Sequence, residues 1–173
     1  MPRLPQLTED PNGLLDRTKA QLGRVPNLYA ALANGPAALA GYLAMRDELT
    51  RGVLRVRLRE QIALLVAQEN DCTYCVSAHS MRGSAIGLSD EQLRRTREAA
   101  DDGDPHADAI LVLTRQIVRS RGRVDDEALA AARLAGVTDA ELAEVVAHVA
   151  LNTLSNYFNH LAQPELDFPE VQA

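Results

Sequence analysis

The chain contains only two cysteines, Cys72 and Cys75, which lie three residues apart in the stretch ENDCTYCVSAH. A histidine, His79, follows four residues after the second thiol. Two thiols beside an imidazole can bind a metal ion, can cycle between dithiol and disulfide, or can pack in a core without reacting. The elements that position these three side chains decide among the alternatives.

A helix from Cys72 to about residue 85 is predicted, because Asn70 and Asp71 break the chain before it and Gly87 ends it. Positions i, i+3 and i+7 of a helix share a face, so both thiols and the imidazole would point the same way. The thiols would lie in the first turn, where unpaired N–H groups and the helix dipole lower the pKa of a thiol from about 8.5. They would also be close enough to form a disulfide.

The preceding helix, predicted over residues 57 to 70, supplies an acid. Glu60 lies twelve residues before the first cysteine. If the turn between the two helices is tight, they run antiparallel and Glu60 approaches His79. We expect a proton relay of Glu60, one water molecule, His79 and Cys75, in which the carboxylate polarises the imidazole that takes the thiol proton.

A metal site is the main alternative to a redox dithiol. A structural zinc ion needs four ligands, usually in two paired clusters, and the motif offers three. The sequence contains no second cluster, so zinc is disfavoured. The candidates for a fourth ligand are the distant His106, His148 and His160.

The rest of the chain is predicted to be helical. Alanine, leucine, arginine and glutamate dominate, tryptophan is absent, and there are only two phenylalanines and four tyrosines. Such a composition favours helices and leaves too few β-branched and aromatic residues for an extensive sheet. Glycine and proline divide the chain into about eight or nine helices. We expect one all-α domain over residues 1–173, a last helix at about 139–161, and a tail that Pro164 and Pro169 leave disordered.

Charge and hydropathy exclude several classes of partner. A formal net charge of −6 disfavours nucleic acid, which requires a concentrated basic surface. No stretch reaches the ~20 consecutive apolar residues of a membrane span, and the polar start lacks the apolar core of a signal peptide. We therefore expect a cytoplasmic protein with no membrane partner. In that reducing compartment a Cys-x-x-Cys pair is more often catalytic or metal-binding than structural.

The last predicted helix carries a polar stripe on an otherwise apolar segment. Buried polar groups need partners, so we expect structural hydrogen bonds there, with a subunit contact or a second lining of the site as alternatives. The stripe is formed by four residues spaced four positions apart: His148, Asn152, Asn156 and His160.

The stretch REQIALLVAQENDCTYCVSAH resembles the core of the alkylhydroperoxidase D-like (AhpD-like) branch of the carboxymuconolactone decarboxylase superfamily. That pattern begins with a glutamate, continues with eleven intervening residues, and ends with Cys-x-x-Cys-x-x-x-His. Residues 23–45 and 144–169 are also similar to segments of this family, so the resemblance covers most of the chain. One position departs from some members: Tyr74, which we expect to pack or to line the site, replaces a histidine. The matching residues are Glu60, Cys72, Cys75 and His79.

This resemblance implies an AhpD-like helical bundle that assembles as a homo-oligomer, a trimer or hexamer. It also implies reduction of hydroperoxides by thiols, without haem, flavin, metal or another cofactor. Cys75 would attack the peroxide oxygen, and its sulfenic acid would condense with Cys72 to a disulfide. Glu60 and His79 would relay protons, and an external dithiol reductant of the lipoyl or thioredoxin type would reduce the disulfide.

Two other functions remain open. A redox-sensing or binding protein would use the dithiol to switch an oligomer interface with negligible turnover. A carboxymuconolactone decarboxylase-type enzyme is the second, although the decarboxylases of the superfamily lack the cysteine pair.

Overall fold

The computed structural model describes residues 1–101 and 103–173, and these residues form nine α-helices and no β-strand. The prediction of an all-α fold with eight or nine helices is therefore confirmed. The helices are α1 (Leu14–Leu22), α2 (Asn27–Leu32), α3 (Pro36–Leu49), α4 (Val56–Glu69), α5 (Thr73–Ala85), α6 (Asp90–Arg97), α7 (Pro105–Ser120), α8 (Asp126–Leu134) and α9 (Asp139–Ala162).

Four of these nine helices, α6 to α9, begin with a side-chain cap. Ser89 and Thr138 begin α6 and α9 with capping boxes, in which the side chain accepts a backbone N–H and the third residue of the helix bonds back. The first helix differs from its prediction, which began it at residue 11. It begins three residues later, because Asp10 accepts the backbone N–H of Leu15 at 2.7 Å and holds residues 10–13 in a turn.

Helix α4 lies at the centre of the fold and is buried along most of its length. One apolar cluster joins it to α1, α2, α3 and α5, and contains both cysteines. A second cluster joins the other side of α4 to α7, α8 and α9. A helix buried on both sides is held rigidly, so Glu60 on α4 has a fixed position relative to α5.

The tail after α9 is ordered against the body of the protein, so the prediction of a disordered tail was wrong. Ser77 on α5 accepts the backbone N–H of Val171 at 2.8 Å, and Arg24 forms an ion pair of 3.0 Å with Asp167. Proline ends a helix, but it does not prevent an extended segment from packing. The tail therefore covers α5 close to the cysteines.

Membrane insertion of a helix finds no support in the fold. Within the described residues, none of the helices combines the length and apolar character that crossing a bilayer requires.

The turn before α4 depends on a close approach between Gly52 and Glu144. The Glu144 carboxylate accepts the backbone N–H groups of Val53 at 2.8 Å and Leu54 at 3.1 Å, and a Cβ on Gly52 would overlap that carboxylate. We expect Gly52→Ala to displace Glu144 and to lower the free energy of unfolding by about 1–2 kcal/mol.

A matched control for this substitution is Gly41→Ala. Gly41 lies exposed within α3, and a Cβ there would contact nothing within 4 Å. This change is expected to stabilise the protein by about 0.5–1 kcal/mol, because alanine is the better helix former. Denaturant unfolding of both variants measures the difference, and equal stabilities would refute the role of Glu144.

Candidate functional site

A tight turn joins α4 to α5 and positions the first cysteine. Asp71 adopts a left-handed backbone conformation with φ of 54°, and the N–H of Cys72 returns to the carbonyl of Ala67 at 3.0 Å. Cys72 is thus the N-cap of α5, and Cys75 is the third residue of the helix. Both thiols lie at the helix N-terminus, as predicted, where the dipole favours a negative charge.

The two thiols are free, and their Sγ atoms lie 2.8 Å apart. The hydrogen bond between the two thiols lowers the pKa of Cys72 to about 7, against the opposing effect of burial, with further contributions from the charge of His160 and the amide of Asn159. The same bond, together with burial, raises the pKa of the Cys75 thiol. The pair therefore loses one proton readily and shares the remaining one.

Helix α9 contributes a residue that sequence reasoning missed. The amide nitrogen of Asn159 donates to Cys75 Sγ at 3.0 Å, and Asn159 is 5% exposed. The predicted stripe runs in four-residue steps and passes over this position, although an asparagine in an apolar helix was itself a signal.

Glu60 and His79 meet directly. Oε1 of the carboxylate lies 2.5 Å from Nδ1 of the imidazole, so the water expected between them is not needed once α4 and α5 pack so closely. Burial alone would favour the protonated acid, but the charges of His79, Arg82 and Arg59 and the bond to His79 outweigh it, and the pKa of Glu60 is lowered. The pair is an ionised carboxylate that orients an imidazole.

A cavity of about 200 Å³ connects His79 with Cys75, both of which line it. Among the described residues His79 makes no direct bond to either thiol, so the link from imidazole to sulfur runs across this cavity. Cys72 does not line it, which makes Cys75 the sulfur that a bound molecule reaches. The walls are mainly aromatic and aliphatic, from Leu22, Leu28, Tyr29, Tyr42, Tyr74, Met81 and Phe168.

Tyr74 lines the cavity and also ties it to the tail. Its hydroxyl donates to Asp167 at 2.6 Å and accepts the backbone N–H of Leu28 at 3.1 Å, and its ring meets Phe168 edge to face at 5.3 Å. Burial, together with the bond to Asp167, raises the pKa of Tyr74. Tyr74 is therefore a neutral wall of the site that closes it toward α2.

The predicted polar stripe on α9 makes hydrogen bonds within the fold. Asn152 donates to the carbonyl of His148 at 2.8 Å, and Asn156 accepts from Asn70 at 2.9 Å. His160 contacts the carbonyl of Asn70 at 2.8 Å. The last two bonds hold the α4–α5 turn against α9, so part of the stripe supports the thiol site.

The arrangement of possible ligands does not support the alternative of a zinc site. In the part of the chain that the structure describes, no three His, Cys, Asp or Glu side chains are arranged to hold a metal ion. Of the three candidate histidines, His106 lies 3.2 Å from Glu141 instead, and His148 is buried beside Arg59 and Glu144.

Comparison with solved structures identifies the fold. A peroxidase-related protein with an alkylhydroperoxidase AhpD core from Ralstonia eutropha JMP134 superposes with a TM-score of 0.84 at 23% identity, covering 96% of this chain and 92% of that one. A peroxidase-related protein from Silicibacter sp. TM1040 gives 0.80 at 20% identity, covering 94% and 89%. A variant of the debrominase Bmp8 in complex with 2,3,4-tribromopyrrole gives 0.77 at 15% identity, covering 91% and 86%.

No curated protein matches the chain by sequence. Residues 36–116 match the model of the carboxymuconolactone decarboxylase family, and this segment includes the glutamate, both cysteines and the histidine of the site. The central segment of the chain is therefore similar to the carboxymuconolactone decarboxylase family, and the chain has the fold of the solved protein with an AhpD core.

Proposed function

We propose that the protein is a thiol-dependent hydroperoxide reductase that works through the Cys72–Cys75 dithiol. One observation carries the proposal: two hydrogen-bonded thiols at a helix N-terminus, one of which borders a cavity that it shares with a carboxylate-oriented histidine. A single reactive thiol would suffice for many reactions. A second sulfur at 2.8 Å specifically suits formation of a disulfide.

The first step is attack of the Cys75 thiolate on the terminal oxygen of the hydroperoxide. The O–O bond breaks, Cys75 becomes a sulfenic acid, and the alkoxide leaves as an alcohol after taking one proton. His79 lines the cavity and is placed to deliver that proton, while Glu60 holds the ring in position. The sulfur is oxidised and the peroxide is reduced by two electrons.

The second step joins the two sulfurs. Cys72 attacks the sulfenic sulfur, the S–O bond breaks, and the hydroxide leaves as water. In sum, two thiols and one hydroperoxide give one disulfide, one alcohol and one water. An external dithiol, of lipoyl or thioredoxin type, must then reduce the disulfide to begin another cycle.

The apolar walls of the cavity favour an organic hydroperoxide as the substrate. Three tyrosines and a phenylalanine line a space of about 200 Å³, enough for a compact apolar group beside the peroxide. The test uses reduced protein with cumene hydroperoxide and excess dithiothreitol, and measures the cumyl alcohol produced. Multiple turnovers with a rate proportional to enzyme would support the proposal.

Two outcomes of this assay would favour other functions. Oxidation of the dithiol without turnover, accompanied by a change in assembly, would indicate a redox-sensing protein. A faster reaction with 2,3,4-tribromopyrrole than with cumene hydroperoxide would indicate a dehalogenase instead. The trimeric or hexameric assembly and the cytoplasmic location stay predictions, and light scattering of the purified protein tests the first.

A further inference from the structure

Two buried asparagines of α9 present amide groups to the thiol pair. Asn159 donates to Cys75 Sγ at 3.0 Å, while its carbonyl oxygen has no hydrogen-bond partner among the described residues. Asn156 is fully buried, and its amide nitrogen likewise has no partner within the described part of the chain. An unpaired buried amide destabilises the fold, so its presence needs an explanation, such as a function at the thiol pair.

A chain of bonds fixes the orientation of Asn156. The side chain of Asn70 donates to Asn156 Oδ1 at 2.9 Å, and the backbone carbonyl of Asn70 is held by His160 at 2.8 Å. Because the oxygen of Asn156 is occupied by a donor, the free end of its amide is the nitrogen. The Asn159 amide donates to the Cys75 sulfur, and both amides lower the pKa of the Cys75 thiol. Asn159 also contributes to the lowered pKa of Cys72, whereas Asn156 is a cause for Cys75 alone.

The thiol that ionises more readily is not the thiol that a bound molecule reaches. The bond between the two thiols lowers the pKa of Cys72 and raises the pKa of Cys75, but of the two sulfurs only Cys75 borders the cavity. The other titratable groups do not resolve this mismatch: His160 stabilises charge on Cys72, and the buried tyrosines Tyr42 and Tyr74 oppose charge near Cys75. Glu60 is itself negative, and its partner His79 is bonded to neither sulfur.

We propose that Asn156 and Asn159 form an amide donor pair that draws the shared negative charge onto Cys75 Sγ and so selects the attacking sulfur. The proposal deepens the proposed function, because the selected sulfur is the one that would reduce a hydroperoxide. Amide donors aimed at a charged atom in a buried site are worth more than in water and need no reorganisation during reaction. The same donors would stabilise the sulfenate form of Cys75 after oxygen transfer.

The test measures the thiols of the reduced protein without any peroxide. The absorbance of thiolate at 240 nm gives the midpoint of ionisation against pH, and substoichiometric iodoacetamide at pH 7 followed by peptide mass spectrometry gives the labelling ratio of Cys75 to Cys72. For Asn159→Ala we expect the midpoint to rise by about one pH unit and the labelling ratio to fall about tenfold. Asn156→Ala should give a smaller change in the same direction.

Two further variants keep the test decisive. Asn159→Asp preserves the shape of the side chain but removes the donor, so it must shift both readouts at least as far as Asn159→Ala. Asn152→Ala is the matched control, since it deletes a buried amide of α9 that bonds the carbonyl of His148 instead of a sulfur. It should leave both readouts unchanged, and circular dichroism confirms that each variant is folded.

The proposal is overturned if the labelling ratio is the same in wild type, Asn159→Ala and Asn159→Asp, even if the midpoint moves, because the amides would then not select the sulfur. Failure of the proposed function is a separate result. It would appear as absence of hydroperoxide turnover in the wild type, whatever the labelling ratio of the variants.

Discussion

Replacing Cys75 with serine is expected to abolish hydroperoxide reduction, with a loss of at least about 10³-fold in the rate of alcohol formation. The hydroxyl of serine does not ionise near neutral pH and is a far weaker nucleophile than a thiolate. Cys75 is also the sulfur that lines the cavity, so no other thiol can take its place. The measurement is cumyl alcohol formed from cumene hydroperoxide with excess dithiothreitol.

The companion variant Cys72→Ser separates the roles of the two sulfurs. It should still release one equivalent of alcohol in a single turnover, because the attacking sulfur is intact. The reaction should then stop, because no disulfide can form. Dimedone should trap a sulfenic acid on Cys75. Trapping on Cys72 of the Cys75→Ser variant, with alcohol formed at the wild-type rate, would reverse the assignment and would agree with the lowered pKa of Cys72.

The second large effect is expected for Glu60→Gln, which should slow the first oxidation step about 10²-fold at pH 7. The ionised carboxylate holds the imidazole of His79 at 2.5 Å, and a neutral amide of similar size cannot stabilise a protonated ring. Stopped-flow oxidation of the reduced protein measures this rate without the reductant.

The chain offers a matched control in another carboxylate–imidazole contact, between Glu141 and His106 at 3.2 Å. Glutamine preserves the capping box of α9 at position 141, so Glu141→Gln should remain folded. It is expected to react at the wild-type rate, because this pair lies apart from the thiols. Equal rates for Glu60→Gln and wild type would remove Glu60 from the mechanism.

Much of the fold was predictable because its signals are local. Capping residues and glycines place helix ends to within a few residues, as at α9, where the predicted 139–161 becomes Asp139–Ala162. The meeting of Glu60 with His79 also follows from local rules, since two antiparallel helices joined by a tight turn bring their side chains together. The absence of a water between them depends on the distance between the helices, which no periodicity gives.

The parts that sequence reasoning missed depend on contacts between distant residues. Asn159 reaches a sulfur 84 positions away in the chain, and its own helix gives no hint of that partner. The tail was expected to be disordered from its prolines, but Asp167 and Phe168 find partners on Tyr74 and Arg24. Composition indicates whether a segment would be ordered by itself. Whether the segment packs also depends on the surface that the rest of the fold offers to it.

The most direct test of the account is the mass of the reduced protein after one equivalent of cumene hydroperoxide. Oxidation through a sulfenic acid to a disulfide removes two hydrogens, so the intact mass should fall by about 2 Da while both titratable thiols disappear. A gain of about 16 Da that persists, or an unchanged mass with the peroxide intact, would contradict the claim that Cys72 and Cys75 form a peroxide-reducing dithiol.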